Sequence, residues 1–264
     1  MKIGITGITG KMGQTIARIV MQDPIAELST GLVRKGNNFD GVDIGEFLAL
    51  EKSGRTITSD IDIFFKNCDA VIDFSSPSLS LICAKKASEY SKILVCGTTG
   101  FSDEDRQKLS DYSKNCVIIW SANMSVGVNV LMSIVEKISS ILRDDYDIEI
   151  VEMHHRDKVD SPSGTALSLG NAAARGRGIE IKDSAKMSRV GNDCKRNRGE
   201  IGFASLRGGD VVGDHTVIFA GDGERLELSH KASSRSVFAS GAVRAAIWGS
   251  GKKSGFYLMK DVLS

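Results

Sequence analysis

Residues 1–125 alternate short apolar runs with stretches of helical period, and this alternation narrows the fold further than any other feature of the chain. Strands interleaved with helices predict βαβ units, because parallel neighbours need a crossover connection and a helix supplies it. Lys2–Ile5 reads as a first strand and Met12–Gln22 as a first helix, with Met12, Ile16, Ile19 and Val20 on one face. Leu28–Val33 reads as a second strand, followed by a polar loop rich in Asn and Gly. The run Ala70–Phe74 (AVIDF) is nearly continuous in apolar residues, as a strand buried on both faces requires. A helix over Ser78–Tyr90, a strand over Ile93–Cys96, a helix over Ser102–Asn115 and a strand over Cys116–Trp120 complete a doubly wound pattern.

The pattern changes after residue 125. Val128–Leu142 has the spacing of an amphipathic helix, and Asp147–Val151 (DIEIV) alternates like a half-exposed strand. A helix over Thr165–Ala174 and a basic loop come next. Then Ile201–Leu206, Val211–Ala220 and Glu224–His230, joined by Gly208-Gly209 and Gly221-Asp222-Gly223, read as an antiparallel meander. Val237–Trp248 reads as a last helix that returns to the first domain. The expected fold class is therefore α/β: a Rossmann-type doubly wound parallel sheet with an inserted α+β domain built on an open mixed or antiparallel sheet. Residues 1–125 with 235–264 form the expected dinucleotide-binding domain, and residues 126–234 the inserted one. A length of 264 residues suits one or two domains.

Composition removes other classes. Lys and Arg total 34 against 33 Asp and Glu, so no net field recruits nucleic acid or an anionic membrane. With 28 Gly and only 3 Pro, the chain favours tight turns and close backbone approaches over disorder. The five cysteines, Cys68, Cys83, Cys96, Cys116 and Cys194, are odd in number and form no CxxC pair. Reduced thiols in a cytoplasmic setting follow, rather than a disulfide framework or a zinc site. No apolar run reaches the roughly 20 residues that span a bilayer. The start, MKIGITGITGKMG, lacks the apolar region of a signal peptide.

The glycine loop Gly7-Ile8-Thr9-Gly10-Lys11-Met12-Gly13 lies between the first strand and the first helix. A dinucleotide pyrophosphate needs such a loop, where glycines admit the backbone and the helix start offers free N–H groups. The spacing is GxxGxxG rather than GxGxxG, and a tight turn alone would also use these glycines. A P-loop is excluded, because Met12 follows Lys11 and Ile5 stands where the first Gly belongs. The second strand ends Gly31-Leu32-Val33-Arg34-Lys35, without the acid that holds a ribose 2′-hydroxyl in NAD sites. Arg34 and Lys35 either neutralise a 2′-phosphate, favouring NADPH over NADH, or simply begin a solvated loop. Phe74–Pro77 and Cys96–Gly100 fall at the carboxyl ends of parallel strands, where ligands bind in this architecture.

His154-His155-Arg156-Asp157-Lys158-Val159-Asp160-Ser161-Pro162-Ser163-Gly164-Thr165 follows a strand and opens a helix. Two histidines, a Lys and an Arg within five residues suit proton donation and anion binding, and the helix start offers N–H groups to a carboxylate. An ordinary polar loop with a Pro-marked cap is the alternative. No metal site is expected, because adjacent histidines on a strand point to opposite faces and no further ligand follows at the right spacing.

At these residues the chain resembles the dihydrodipicolinate reductase family, also called 4-hydroxy-tetrahydrodipicolinate reductases. The resemblance covers essentially all 264 residues. It rests on the Gly7–Gly13 loop, CGTTG (96–100), ANMSVGVN (122–129), EMHHRDK (152–158), DSPSGTA (160–166), IGFA (201–204), GDHT (213–216) and HKASSR (230–235). It implies a pyridine-nucleotide reductase of a small cyclic dicarboxylate in lysine and diaminopimelate biosynthesis, usually a homotetramer built through the inserted domain. By position, His154 matches the family's proton donor and acceptor, and Lys158 its second proton donor. His155, Gly164 and Thr165 match substrate contacts. Gly7, Ile8, Thr9, Gly10, Lys11 and Met12, then Gly97, Thr98 and Thr99, and Ser121, Ala122, Asn123 and Met124 match cofactor contacts. The chain departs from the family where Val33-Arg34 replaces an acid, and where Met124 stands in the place of a common aromatic residue.

His215 and His230 read as structural hydrogen-bonding residues. The stretch from Arg175 to Arg198 is basic but has no aromatic residue for base stacking, so it reads as a solvated mobile loop, from which Arg196 or Arg198 could reach the substrate if the domains close. A nucleotide sensor would lack the His154, Lys158 and Gly164-Thr165 constellation. A semialdehyde dehydrogenase would need a catalytic thiol, for which Cys194 in the basic loop is poorly placed.

Overall fold

The computed structural model describes all 264 residues. The chain divides into two compact units, residues 1–126 with 235–264, and residues 127–234.

The first unit contains β1 (Lys2–Thr6), α1 (Lys11–Gln22), β2 (Glu27–Leu32), α2 (Ile44–Phe47), β3 (Ile57–Thr58), α3 (Ile61–Lys66), β4 (Ala70–Asp73), α4 (Pro77–Tyr90), β5 (Ile93–Cys96), α5 (Asp103–Tyr112) and β6 (Val117–Trp120). The second begins along α6 (Val126–Leu142), then β7 (Asp147–His154), α7 (Gly164–Arg177), α8 (Ile181–Ser184), β8 (Ala185–Lys186), β9 (Ile201–Arg207), β10 (Gly213–Gly221) and β11 (Glu224–Ala232). The chain then returns to the first unit as α9 (Ser236–Gly249), β12 (Gly255–Leu258) and α10 (Met259–Leu263).

Seven parallel strands in the order β12-β6-β5-β4-β1-β2-β3 form the first sheet. Alternate residues of the central strands enter opposite cores. Ile3, Ile5, Ala70, Ile72, Val95 and Ile119 pack with α1 and α9. Val71, Leu94, Cys96 and Ile118 pack with α3, α4 and α5. Burial on both faces is the reason these strands read as continuous apolar runs. The strand order reverses between β1 and β4, and ligands of doubly wound sheets bind outside the carboxyl ends of strands at such a switch point.

The second sheet is mixed, in the order β11-β10-β7-β9-β8. Its core lies on one face, where Ile148, Ile150, Ile201, Phe203, Val217 and Phe219 meet Leu131 and Val135 of α6 and the alanines of α7. Gly170 and Gly176 make α7's close approach feasible, since a Cβ would lie 2.5 Å from the Phe203 ring at one and 2.2 Å from the Glu136 carbonyl at the other.

This sheet corrects the expected meander. β10 and β11 do form a hairpin, but β9 lies on the far side of β7 and runs parallel to it. Gly208-Gly209 does not close a hairpin. The segment crosses the end of β7 instead: Gly208 N–H donates to the His154 carbonyl (3.0 Å), Arg156 N–H to Gly209 (3.2 Å) and His155 N–H to Val211 (2.7 Å). Beyond the polar loop expected after the second strand, the chain between β2 and β4 also holds α2, β3 and α3, and β12 adds an edge strand after α9.

Candidate active site

The loop after β1 is shaped by its glycines. Gly7 has φ +56°, a left-handed conformation that disfavours a side chain. At Gly13 a Cβ would lie 2.4 Å from the Gly7 carbonyl, so glycine alone lets α1 start this close to β1. Ile8 is fully buried and fills the space over Gly31, where a Cβ would meet it at 2.6 Å. Pinned there, the loop leaves Gly10 and Lys11 exposed and Thr9 and Met12 half-buried. α1 starts at Gly10 with no side-chain cap and no acidic residue in its first turn. Its N–H groups and positive dipole end therefore meet no protein anion, which fits a pyrophosphate.

Neighbouring strand ends contribute the other expected cofactor residues. Arg34 is exposed just past the end of β2. After β5, Gly97 sits where a Cβ would meet the Phe74 ring at 2.3 Å, Thr98 is buried, and Thr99 is exposed. The Thr98 hydroxyl accepts from Ser75 N–H (3.0 Å) and donates to Asp73 (3.2 Å). After β6, the Ser121 hydroxyl donates to the Asn123 carbonyl (2.7 Å), the Asn123 side chain accepts from Ser125 N–H (2.8 Å), and Ala122 is exposed. Met124 stands apart: its side chain is 1% exposed within the apolar core beneath α9, so it presents no surface to a ligand.

In the second unit the polar site grows out of the core. Along β7 the residues facing the helices are Ile148, Ile150, Glu152 and His154, and along β10 they are Phe219, Val217, His215 and Gly213. Register places Glu152 between His215 and Ser205, and His154 opposite Arg207. The buried face thus changes from apolar to polar where α7 begins. Glu152 is 1% exposed and accepts from His154 Nδ1 at 2.5 Å, from both Arg207 terminal nitrogens at 2.9 Å and from Ser163 N–H at 3.2 Å. Burial raises the Glu152 carboxyl, but hydrogen bonds from Arg207, Ser205 and His154 outweigh it and hold it down at about 2. Burial lowers His154 below its ordinary range against the opposing pull of Glu152, and the charges of Lys158 and Arg207 lower it further. The ring is therefore neutral near pH 7.

His215, expected as a structural hydrogen-bonding residue, packs within this group. Its Nε2 lies 2.9 Å from the Ser163 hydroxyl, and its ring meets the His154 ring edge-on at 5.1 Å. Burial, with the His154 charge next, pushes it down to about 4. Ser163 also caps α7 by accepting from Ala166 N–H at 3.1 Å. Gly164 is exposed and open beyond its Cα, Thr165 is half-buried, and α7 has no acidic residue in its first turn. These features leave a helix start ready for a carboxylate. Lys158 is half-buried and donates to Asp160 at 2.7 Å, and His155 is half-buried beside it.

The basic stretch is not a free loop. Arg196 pairs with Asp147 (2.8 Å) and with Glu149 at the beginning of β7, while Arg189 bridges Glu149 (2.8 Å) and Glu200 (2.9 Å). At roughly 3.3 Å per residue, the start of β7 lies about 20 Å from His154. Arg196 is thus committed to the opposite end of the strand, and Arg198 pairs with Asp145 there at 3.5 Å.

Sequence reasoning missed Glu152, Arg207 and Asp73. Glu152 was visible as a charged residue on the apolar phase of an alternating strand, and Asp73 as an acid inside AVIDF. Arg207 carried no local signal.

One unit built for a dinucleotide and another built for an anion with a proton to exchange define a class, the nucleotide-dependent oxidoreductases of small anionic substrates. Within it the chain belongs to the dihydrodipicolinate reductase family. The family's pattern described as "Dihydrodipicolinate reductase, N-terminus" matches residues 1–124, and "Dihydrodipicolinate reductase, C-terminus" matches residues 127–263. A 4-hydroxy-tetrahydrodipicolinate reductase of Methylocella silvestris is 48% identical over 263 residues, covering 100% of this chain and 97% of its own length. That of Agrobacterium fabrum is 47% identical over 264 residues, covering 100% and 96%. Among solved structures, a dipicolinate-bound dihydrodipicolinate reductase from Paenisporosarcina sp. TG-14 has a TM-score of 0.75 at 23% identity, over 98% of this chain and 97% of that one. That likeness is one of fold.

Proposed function

We propose that the chain reduces 4-hydroxy-tetrahydrodipicolinate to tetrahydrodipicolinate with NADPH or NADH and loss of water, as a step of lysine and diaminopimelate biosynthesis. The observation that carries this reading is the second-unit cluster: a carboxylate-oriented His154, with Lys158 in the loop that leads to a helix start without an acidic residue in its first turn. A cyclic dicarboxylate needs cations and N–H donors for its two charges. Lys158, His155 and the amides of Gly164 and Thr165 supply them.

Gly7 to Met12 hold the pyrophosphate at the start of α1, and Gly97 to Thr99 with Ser121 to Asn123 line the remaining strand ends. The bound nicotinamide supplies hydride. The chain's residues do the rest. Hydride adds to a ring carbon conjugated with the imine, and Lys158 draws electron density towards the ring nitrogen as it does so. His154 exchanges at its Nε2 the proton that the resulting enamine takes up, so the imine survives in the product. NADPH is favoured because the end of β2 carries exposed Arg34 and no acid.

The protein works as a cytoplasmic homotetramer. Its five free cysteines suit a reducing compartment, and no helix is long and apolar enough to cross a membrane. Val151, Met153, Leu206 and Ile218 face away from α6 and α7, giving the second sheet an apolar patch for self-association, which light scattering checks.

The test is nicotinamide oxidation followed by absorbance, with substrate generated freshly by a coupled synthase. His154→Gln lowers kcat by about 10²–10⁴-fold with nucleotide affinity unchanged. Equal loss of nucleotide binding, or wild-type turnover, rejects the assignment.

A further inference from the structure

Glu152 is buried and Arg207 half-buried in the second unit's site, yet the proposed chemistry gives neither a task. Glu152 lies two residues before His154 on the same face of β7, because alternate strand residues share a face. Arg207 closes on it like a fork, Nη1 to Oε2 and Nη2 to Oε1, each at 2.9 Å. Arg207 Nη2 also donates to the Asp160 carbonyl at 2.7 Å, tying β9 to the loop that carries Lys158. Oε2 then meets His154 Nδ1 at 2.5 Å. An ionised carboxylate only accepts, so the hydrogen of the neutral ring resides on Nδ1 and the lone pair on Nε2. Gly213 keeps the space beside Nε2 free, since a Cβ there would lie 3.0 Å away.

We propose that Glu152, clamped by Arg207, is a positioning residue for His154: it holds the ring in the Nδ1–H tautomer and leaves Nε2 to exchange the substrate's proton. The inference rests on the reading of His154 as the proton-exchanging group. The groups facing the ring are Glu152 on its own strand, Arg207 on β9, His215 on β10, and Lys158 with Asp160 in the loop. Arg207 balances the carboxylate, so Glu152 stays ionised when Nε2 gains a proton, and it stabilises the imidazolium without taking the proton itself.

The first measurement is the ¹⁵N ring spectrum of His154 in the wild-type enzyme at neutral pH, assigned by comparison with His154→Gln. An Nδ1–H pattern is expected, and an Nε2–H pattern overturns the proposal. In Glu152→Gln the amide presents its N–H to Nδ1, so the hydrogen moves to Nε2. The expected result is a kcat reduced about 10²–10³-fold at unchanged KM for both nucleotide and substrate. Losing the carboxylate makes the imidazolium less favourable, so the pH–rate limb of His154 moves to lower pH by about one unit. Wild-type kcat with an unmoved limb, or a loss confined to KM, overturns the proposal. Arg207→Lys replaces the fork with a point charge and shows the same direction of change, smaller in size. If Glu152→Gln does not fold, the wild-type spectrum and the Arg207→Lys profile decide. An Nδ1–H ring in an enzyme that oxidises no nucleotide would support the positioning geometry and defeat the reductase reading alone.

Discussion

Asp73 is the fully buried acid of the first unit, and its partners are hydroxyls: Thr6, Ser75 (2.5 Å), Ser80 and Thr98 (3.2 Å), with the Cys96 thiol at 3.7 Å. Those residues belong to β1, the turn after β4, α4 and the end of β5. One carboxylate therefore pins several of the segments that border the proposed nucleotide site. Arg34, proposed as the 2′-phosphate contact, belongs to the same scale but lies at the surface. Arg34→Ala raises the KM for NADPH about tenfold and leaves that for NADH unchanged, because only the former carries a 2′-phosphate for a guanidinium to neutralise. Steady-state kinetics with both nucleotides check this, and equal effects on the two would reject the contact. Single residues were unevenly legible in the sequence. His154, Lys158 and Gly164 stood in one contiguous string, whereas Arg207 is 55 residues from Glu152 and His215 is 52 from Ser163. No local pattern joins such pairs.

The β1–α1 junction depends on contact between backbone atoms. Gly13→Ala drives a methyl to within 2.4 Å of the Gly7 carbonyl and 2.7 Å of the Ile8 Cα, neither of which is the end of a flexible side chain. The helix start must shift, so nucleotide affinity falls at least about tenfold and stability by about 1–3 kcal/mol. Isothermal titration with NADPH and thermal unfolding measure the two effects. Wild-type affinity would show that the close approach is not needed. Elements buried on both faces were readable from composition, as AVID and ILVC show, because every residue of β4 and nearly every residue of β5 is buried. β3, with two residues, and β12, with four half-buried ones, were too short or too mixed to carry a period. The position of β9 was unreadable for another reason. Its alternation shows which residues face inward, and nothing in it says whether its neighbour is β10 or β7.

At the scale of the molecule, the buried polar cluster links stability to pH. His215 falls from its ordinary 6.5 to about 4 in the folded chain, so the unfolded chain binds the extra proton between those values. Its contribution, up to about 3 kcal/mol, is complete above pH 6.5 and is lost as pH falls towards 4. Glu152, lowered from 4.5 to about 2, adds a second loss of the same sign as pH falls through that lower window. Thermal unfolding against pH is expected to show stability declining in two stages, and His215→Asn shrinks the first, to which the lowered His154 and His230 also contribute. A flat profile between pH 6.5 and 4 would mean that His215 is not held neutral. The parts that the sequence by itself determined are those written in consecutive residues: the βαβ alternation, the glycine loop, and the string from His154 to Thr165. Each depends on periodicity or on backbone groups a few positions apart, and such short-range physics is encoded locally. Only the tertiary structure decided that β7 lies between β9 and β10. With it came the meeting of Glu152, Arg207 and His215 around His154, because strand register brings together residues far apart in the chain and is set by burial of the whole sheet face.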